Sequence, residues 1–129
     1  MKTKASKNRP ALEKALLMAR AAIQKKPLDP LLLEVKEQCS FADYFLILSG
    51  TSTRQTQALA AHIEASMEQQ GFRTLGVEGR ELGHWILLDY GDVIAHIFFE
   101  PVRPFYDLEG LWLDAPRLDP AAESLTLPE

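Results

Sequence analysis

Gly50-Thr51-Ser52-Thr53 separates an apolar run from a helix-like stretch. In that position, the free N–H groups of a helix start can hold a phosphate. The same residues also suit a simpler role: Ser52 with Gln55 three residues later has capping-box spacing, which would satisfy the first unpaired N–H groups. The lysine of a phosphate loop and the spaced glycines of a dinucleotide fingerprint are both missing. A nucleotidyltransferase built on this turn would be a divergent enzyme binding its nucleotide at Gly50 to Thr53, and it would need a close pair of carboxylates to hold metal ions. Asp89 and Asp92 form such a pair, but they flank Tyr90-Gly91, where turns favour aspartate for local hydrogen bonding.

The three histidines, His62, His84 and His96, have no metal-ligand spacing. A single cysteine, Cys39, leaves no internal disulfide and no cysteine-built metal site. Cys39, Ser40 and His62 are the residue types of a nucleophile and its base, but nothing in their spacing joins them. No catalytic residue, cofactor or metal is expected. His96 interrupts an apolar strand, so it is either a hydrogen-bonded core group or a group presented on the sheet surface. Trp85, Tyr90, Tyr106 and Trp112 are of the types enriched in binding hot spots, and equally of the types that fill small cores.

These residues need elements to position them. Polar residues through Arg9 give way at Pro10 to a helical stripe of Leu12, Leu16, Ala19 and Ile23, ended by Pro27 and Pro30. Leu31, Leu33 and Val35 alternate as a first strand. Tyr44 to Leu48 is a continuous apolar run, the pattern of a strand covered on both faces. A second helix carries Leu59, Ile63 and Met67 and stops at Gly71 as a left-handed cap. A short strand follows near residues 74–77. Residues 85–89 and 93–99 then make an antiparallel hairpin across Tyr90-Gly91-Asp92. Period two puts Trp85, Leu87 and Asp89 on one face and Ile86, Leu88 and Tyr90 on the other. Pro101 and Pro104 allow one helical turn with Arg103, Phe105 and Tyr106, after which Leu108, Leu111 and Trp112 are expected to pack back on the sheet. The order predicts an α/β fold, one mixed β-sheet with packed helices. Residues 1–10 are expected to be a disordered basic N-terminus, 11–113 one domain, and 114–129 a flexible tail.

The 129 residues are 47% hydrophobic and 25% charged, the profile of one globular domain. No apolar run reaches membrane-spanning length and no signal-peptide core is present, so no membrane partner and a cytosolic location are expected. Charge is uneven: residues 1–26 hold eight basic groups against Glu13 alone, and the remainder holds six basic against seventeen acidic. Such an acidic body repels phosphate backbones and favours a basic protein surface.

Five segments in order resemble the ribosomal silencing factor, or Iojap-like, family: Ala42-Asp43-Tyr44-Phe45; Ser49 to Gln55; Leu75-Gly76-Val77-Glu78-Gly79; Trp85 to Phe98; and Arg103 to Trp112. The resemblance covers about residues 11 to 113. It implies a fold akin to nucleotidyltransferases without their catalytic carboxylates, and a translational repressor in place of an enzyme. The implied partner is the large ribosomal subunit, bound through ribosomal protein fourteen so as to block joining of the small subunit. The family's contact tryptophan falls on Trp85, preceded here by His84 in place of the commoner acid or glycine. Leu87, Asp89, Tyr90 and Asp92 are candidates for the rest of the patch, with Tyr106 and Glu109 beside them. The basic N-terminus could graze ribosomal RNA, and an uncovered sheet face could serve a homodimer.

Overall fold

The computed structural model describes the backbone of residues 4–121 and the side chains of 11–121. What was expected of residues 1–3 and 122–129, and of the side chains of the basic N-terminus, lies outside the described residues. Helix α1 (Lys4–Ile23) leads into strand β1 (Leu28–Glu34), β2 (Tyr44–Gly50) and helix α2 (Thr53–Gln69). Strands β3 (Gly76–Glu78), β4 (Trp85–Asp89) and β5 (Val93–Phe99) follow. Two short helices, α3 (Val102–Tyr106) and α4 (Leu108–Leu111), and a last strand β6 (Arg117–Leu118) complete it. The six strands form one sheet in the order β3-β4-β5-β2-β1-β6. Only the central β2–β5 pair is parallel.

The continuous apolar run of β2 is buried along its whole length, as a strand covered on both faces requires. Leu46 and Leu48 face α1 and α2, together with Ile86, Leu88, Val93, Ala95 and Ile97. Small residues on α1 and α2 (Ala15, Ala19, Ala22 and Ala60) let the helices lie close over this face. Phe45, Ile47, Ile94 and Phe98 point the other way into a second apolar cluster with Leu33, Val35 and Leu108. That second face is covered by the β1–β2 connection, through Cys39 and Ala42, and by the chain after β5.

Local chemistry sets the helix ends. The Gln55 N–H donates to Ser52 Oγ at 3.0 Å, the N-cap read from the sequence. The return bond is displaced by one residue, because Gln55 Oε1 accepts from the Thr51 N–H at 2.6 Å and from Thr51 Oγ1 at 2.9 Å. At the other end Gly71 (φ 91) sits in the left-handed region, and the N–H groups of Gly71 and Phe72 close onto the carbonyls of Glu68 and Met67.

Four expectations are corrected. Helix α1 begins at Lys4, ahead of Pro10. The third strand begins at Gly76, two residues later than expected. Leu111 does not return to the sheet; it stands 74% exposed, while Leu108 is buried and Trp112 packs edge-on against Phe45. Inside the supposed tail, Arg117 and Leu118 pair with Leu33 and Leu32, and Ala115 is buried. Two residues of backbone pairing carry no hydrophobic periodicity, so this edge strand has no sequence signature.

Candidate functional site

Strand β4 follows the close turn at Gly79 and presents Trp85 and Leu87 on the face away from α1 and α2, both half-buried. Together with Glu78 and Gly79 they line a groove of about 300 Å³. The Trp85 ring lies 4.7 Å from Tyr106 on α3 and 4.9 Å from Phe98 on β5. Its indole Nε1–H donates to His96 Nδ1 at 3.2 Å. That bond requires a neutral imidazole with its proton on Nε2, and burial pushes the His96 pKa down to about 4. Of the two sequence readings, His96 is the core one. It is only 5% exposed, stacks edge-on against Phe45 at 4.8 Å, and leaves Nε2 without a partner among the described residues.

The aromatic layer thus runs from Trp112 through Phe45, His96 and Trp85 to Tyr106. Its outer rim is apolar and open: Phe105 is 81% exposed, and Leu111 and Leu113 are nearly as bare. Exposed apolar patches of this kind are common at protein–protein contacts. Carboxylates border it. Glu78 stands at the groove and Asp89 continues the Trp85 row, whereas the Glu109 carboxylate is taken up by Arg103.

The structure brings Trp85, Leu87 and Tyr106 together and keeps Asp89 on the same strand face, while Glu109 pairs with Arg103. It separates the other two candidates. Tyr90 is buried against the helices, where its hydroxyl is pushed up to about 12 by burial, with Glu64 and Glu68 adding to the shift. Asp92 pairs with Lys14 of α1 at 2.8 Å, and the Lys14 Nζ also donates to the Tyr90 carbonyl at 3.0 Å. Both therefore fasten the hairpin turn to α1 and do not join the Trp85 surface. His84 stacks on Phe99 at 6.2 Å.

Sequence reasoning missed Phe105, Leu111 and Leu113 as surface residues, and Arg103 as a buried one. A cation in an otherwise apolar segment between two prolines was the available signal for Arg103. Arg103 is 8% exposed and ties α3 to α4 through Glu109.

At the Gly50 turn, Gln55 takes the Thr51 N–H and Ser52 takes the Gln55 N–H, so local side chains cap the helix start. Asp89 and Asp92 stand at the other end of the sheet. Gly50 pairs with Phe99, whereas Val93, next to Asp92, pairs with Tyr44. Six residues of strand put roughly 20 Å between them. Asp89 Oδ1 is already engaged by the Gly91 N–H at 2.8 Å. Among the described residues no group of three or more His, Cys, Asp or Glu could hold a metal ion, and no helix is long and apolar enough to cross a membrane.

The family model described as "Ribosomal silencing factor during starvation" matches residues 8–128. The Bacillus subtilis protein named ribosomal silencing factor RsfS is 39% identical over 103 residues, covering 80% of this chain and 87% of that protein. A mouse protein named mitochondrial assembly of ribosomal large subunit protein 1 is 31% identical over 92 residues, covering 69% of this chain and 40% of its own. A crystal structure of a Chromobacterium violaceum protein superposes with a TM-score of 0.78 at 30% identity, over 90% of this chain and 96% of that one.

Proposed function

The chain belongs to the ribosomal silencing factor family, and from that premise we propose a translational repressor that works by binding, without turnover. It docks on the large ribosomal subunit through ribosomal protein fourteen and obstructs joining of the small subunit. The cytoplasm is the compartment such a role implies.

The observation that carries this reading is the surface of Trp85, Leu87 and Tyr106, apolar at its centre and bordered by Glu78 and Asp89. Aromatic anchors exclude water from an interface and supply most of its energy. A carboxylate rim on an acid-rich body suits a basic ribosomal protein and repels bare RNA. The name of the mouse relative points to the large subunit, and the Gly50 turn, capped by Ser52 and far from the Asp89 and Asp92 carboxylates, supports a binding role over a nucleotide-using one. Any RNA contact would be peripheral, made by the basic residues before Ala11.

Co-sedimentation with separated ribosomal subunits tests the proposal. The protein is expected with the large subunit, and light scattering should show slower joining of the small one. Trp85→Ala should weaken binding by about 2 kcal/mol, roughly thirtyfold, with the fold retained. Recovery with the small subunit alone, or wild-type binding by a folded Trp85→Ala protein, would overturn it. Sizing by light scattering, alone and with the ribosomal protein, distinguishes a one-to-one complex from a homodimer of this chain.

A further inference from the structure

The corner formed by α3 and α4 carries Tyr106 but has little of its own to hold it in place. Its helices have five and four residues, too few to persist alone, and neither has a side-chain N-cap. It also turns its side chains against the usual preference. Phe105 and Leu111 face solvent, while a cation, Arg103, is directed inward beside Leu108.

Arg103 is 8% exposed and reaches three separate parts of the fold. Its Nε–H donates to Glu109 Oε2 at 2.9 Å, joining α3 to α4. Its Nη1 donates to Ser49 Oγ at 3.0 Å, at the end of β2, where Ser49 is itself buried. The same nitrogen donates to the Asp29 carbonyl at 2.8 Å. That carbonyl is available because β1 shifts register between Leu28 and Leu31, with Asp29 at φ 46, so the bulge turns it out of the β1–β2 ladder. A bulge, a buried serine and a carboxylate thus converge on one guanidinium. Burying a charge is costly unless every partner is in place, so this arrangement fixes geometry more than it adds stability.

We propose that Arg103 is the positioning residue of the binding surface: it clamps the α3–α4 corner to β1 and β2 so that Tyr106 stands against Trp85 before a partner arrives. This rests on the binding role proposed above. A preformed aromatic pair avoids the ordering cost that a loose corner would impose on binding. Lysine cannot replace the clamp, because one ammonium cannot direct bonds both toward Glu109 and toward Ser49 and Asp29.

The test uses the full chain with Arg103→Lys and Arg103→Gln. Three quantities are read: the global melting transition, the NMR shifts of the Trp85 indole N–H and Tyr106 ring, and co-sedimentation with isolated large subunits. Both variants should melt cooperatively, lose the mutual ring-current shifts of Trp85 and Tyr106, and bind the large subunit about tenfold more weakly. Unchanged ring-current shifts in the folded variants would overturn the proposal. So would weakened binding with those shifts intact, which would make Arg103 a direct contact. Should the Arg103 variants not fold, Ser49→Ala and Glu109→Ala each remove one arm of the clamp, and wild-type shifts in both would overturn it. If the wild-type protein itself does not bind the large subunit, the functional reading fails, and the NMR shifts alone decide the role of Arg103.

Discussion

His96 makes the binding face sensitive to acid through the fold. Burial holds its pKa near 4 against an ordinary 6.5, so as pH falls the unfolded chain takes up the proton first. The stability that comes from keeping the ring neutral is whole above about pH 6.5 and is lost progressively as pH falls toward 4. Urea unfolding at pH 7.5 and pH 5 should differ by about 2 kcal/mol from this group, and His96→Phe should flatten that dependence. An unchanged slope in the variant would show that His96 does not carry the effect. The site was partly legible at this scale. Trp85, Leu87 and Asp89 followed from period two, and the same alternation already put Tyr90 with Ile86 and Leu88 on the covered face. The Trp85–His96 bond was not legible, because it crosses between strands, and register cannot be read from either strand alone.

Each element is fixed by a few backbone positions, and two glycines separate their contributions. Gly79 (φ 81) closes β3 toward β4, and a Cβ there would sit 2.0 Å from the Trp85 carbonyl oxygen. Gly71 (φ 91) ends α2 with open space around it. Gly71→Ala should therefore cost only the left-handed strain, about 1 kcal/mol, whereas Gly79→Ala adds a backbone collision and should cost on the order of 3 kcal/mol. Denaturant midpoints would rank them, and equal losses would contradict the collision. Gly79→Ala should also displace Trp85, since the colliding atom is its own carbonyl. Elements with a local signature were readable in advance: the β4–β5 hairpin from its Tyr-Gly-Asp turn, and α2 from Ser52 and Gly71. Strand β6 was not, because the strand it pairs with is β1, more than eighty residues earlier.

For the whole molecule, charge is expected to set the rate of encounter with the proposed partner. The acid-rich body should speed association with a basic ribosomal protein and have less effect on dissociation. Raising ionic strength should then slow binding in stopped-flow measurements while the dissociation rate changes little; a salt-independent association rate would remove charge from the account. The fold class was legible because helix and strand periods alternate clearly, and the family because its motifs recur in order. The distribution of cover over the two sheet faces was not legible, since it depends on where a short corner after β5 comes to rest. The one parallel pair, β2 with β5, carries a consequence for synthesis. Parallel partners must wait for the intervening chain, here α2, β3 and β4, before they can meet. The Trp85 face needs β1, β2, β5 and α3 together. A nascent chain still held in the exit tunnel at Phe99 would therefore lack it. That face would form only once α3 has cleared the tunnel.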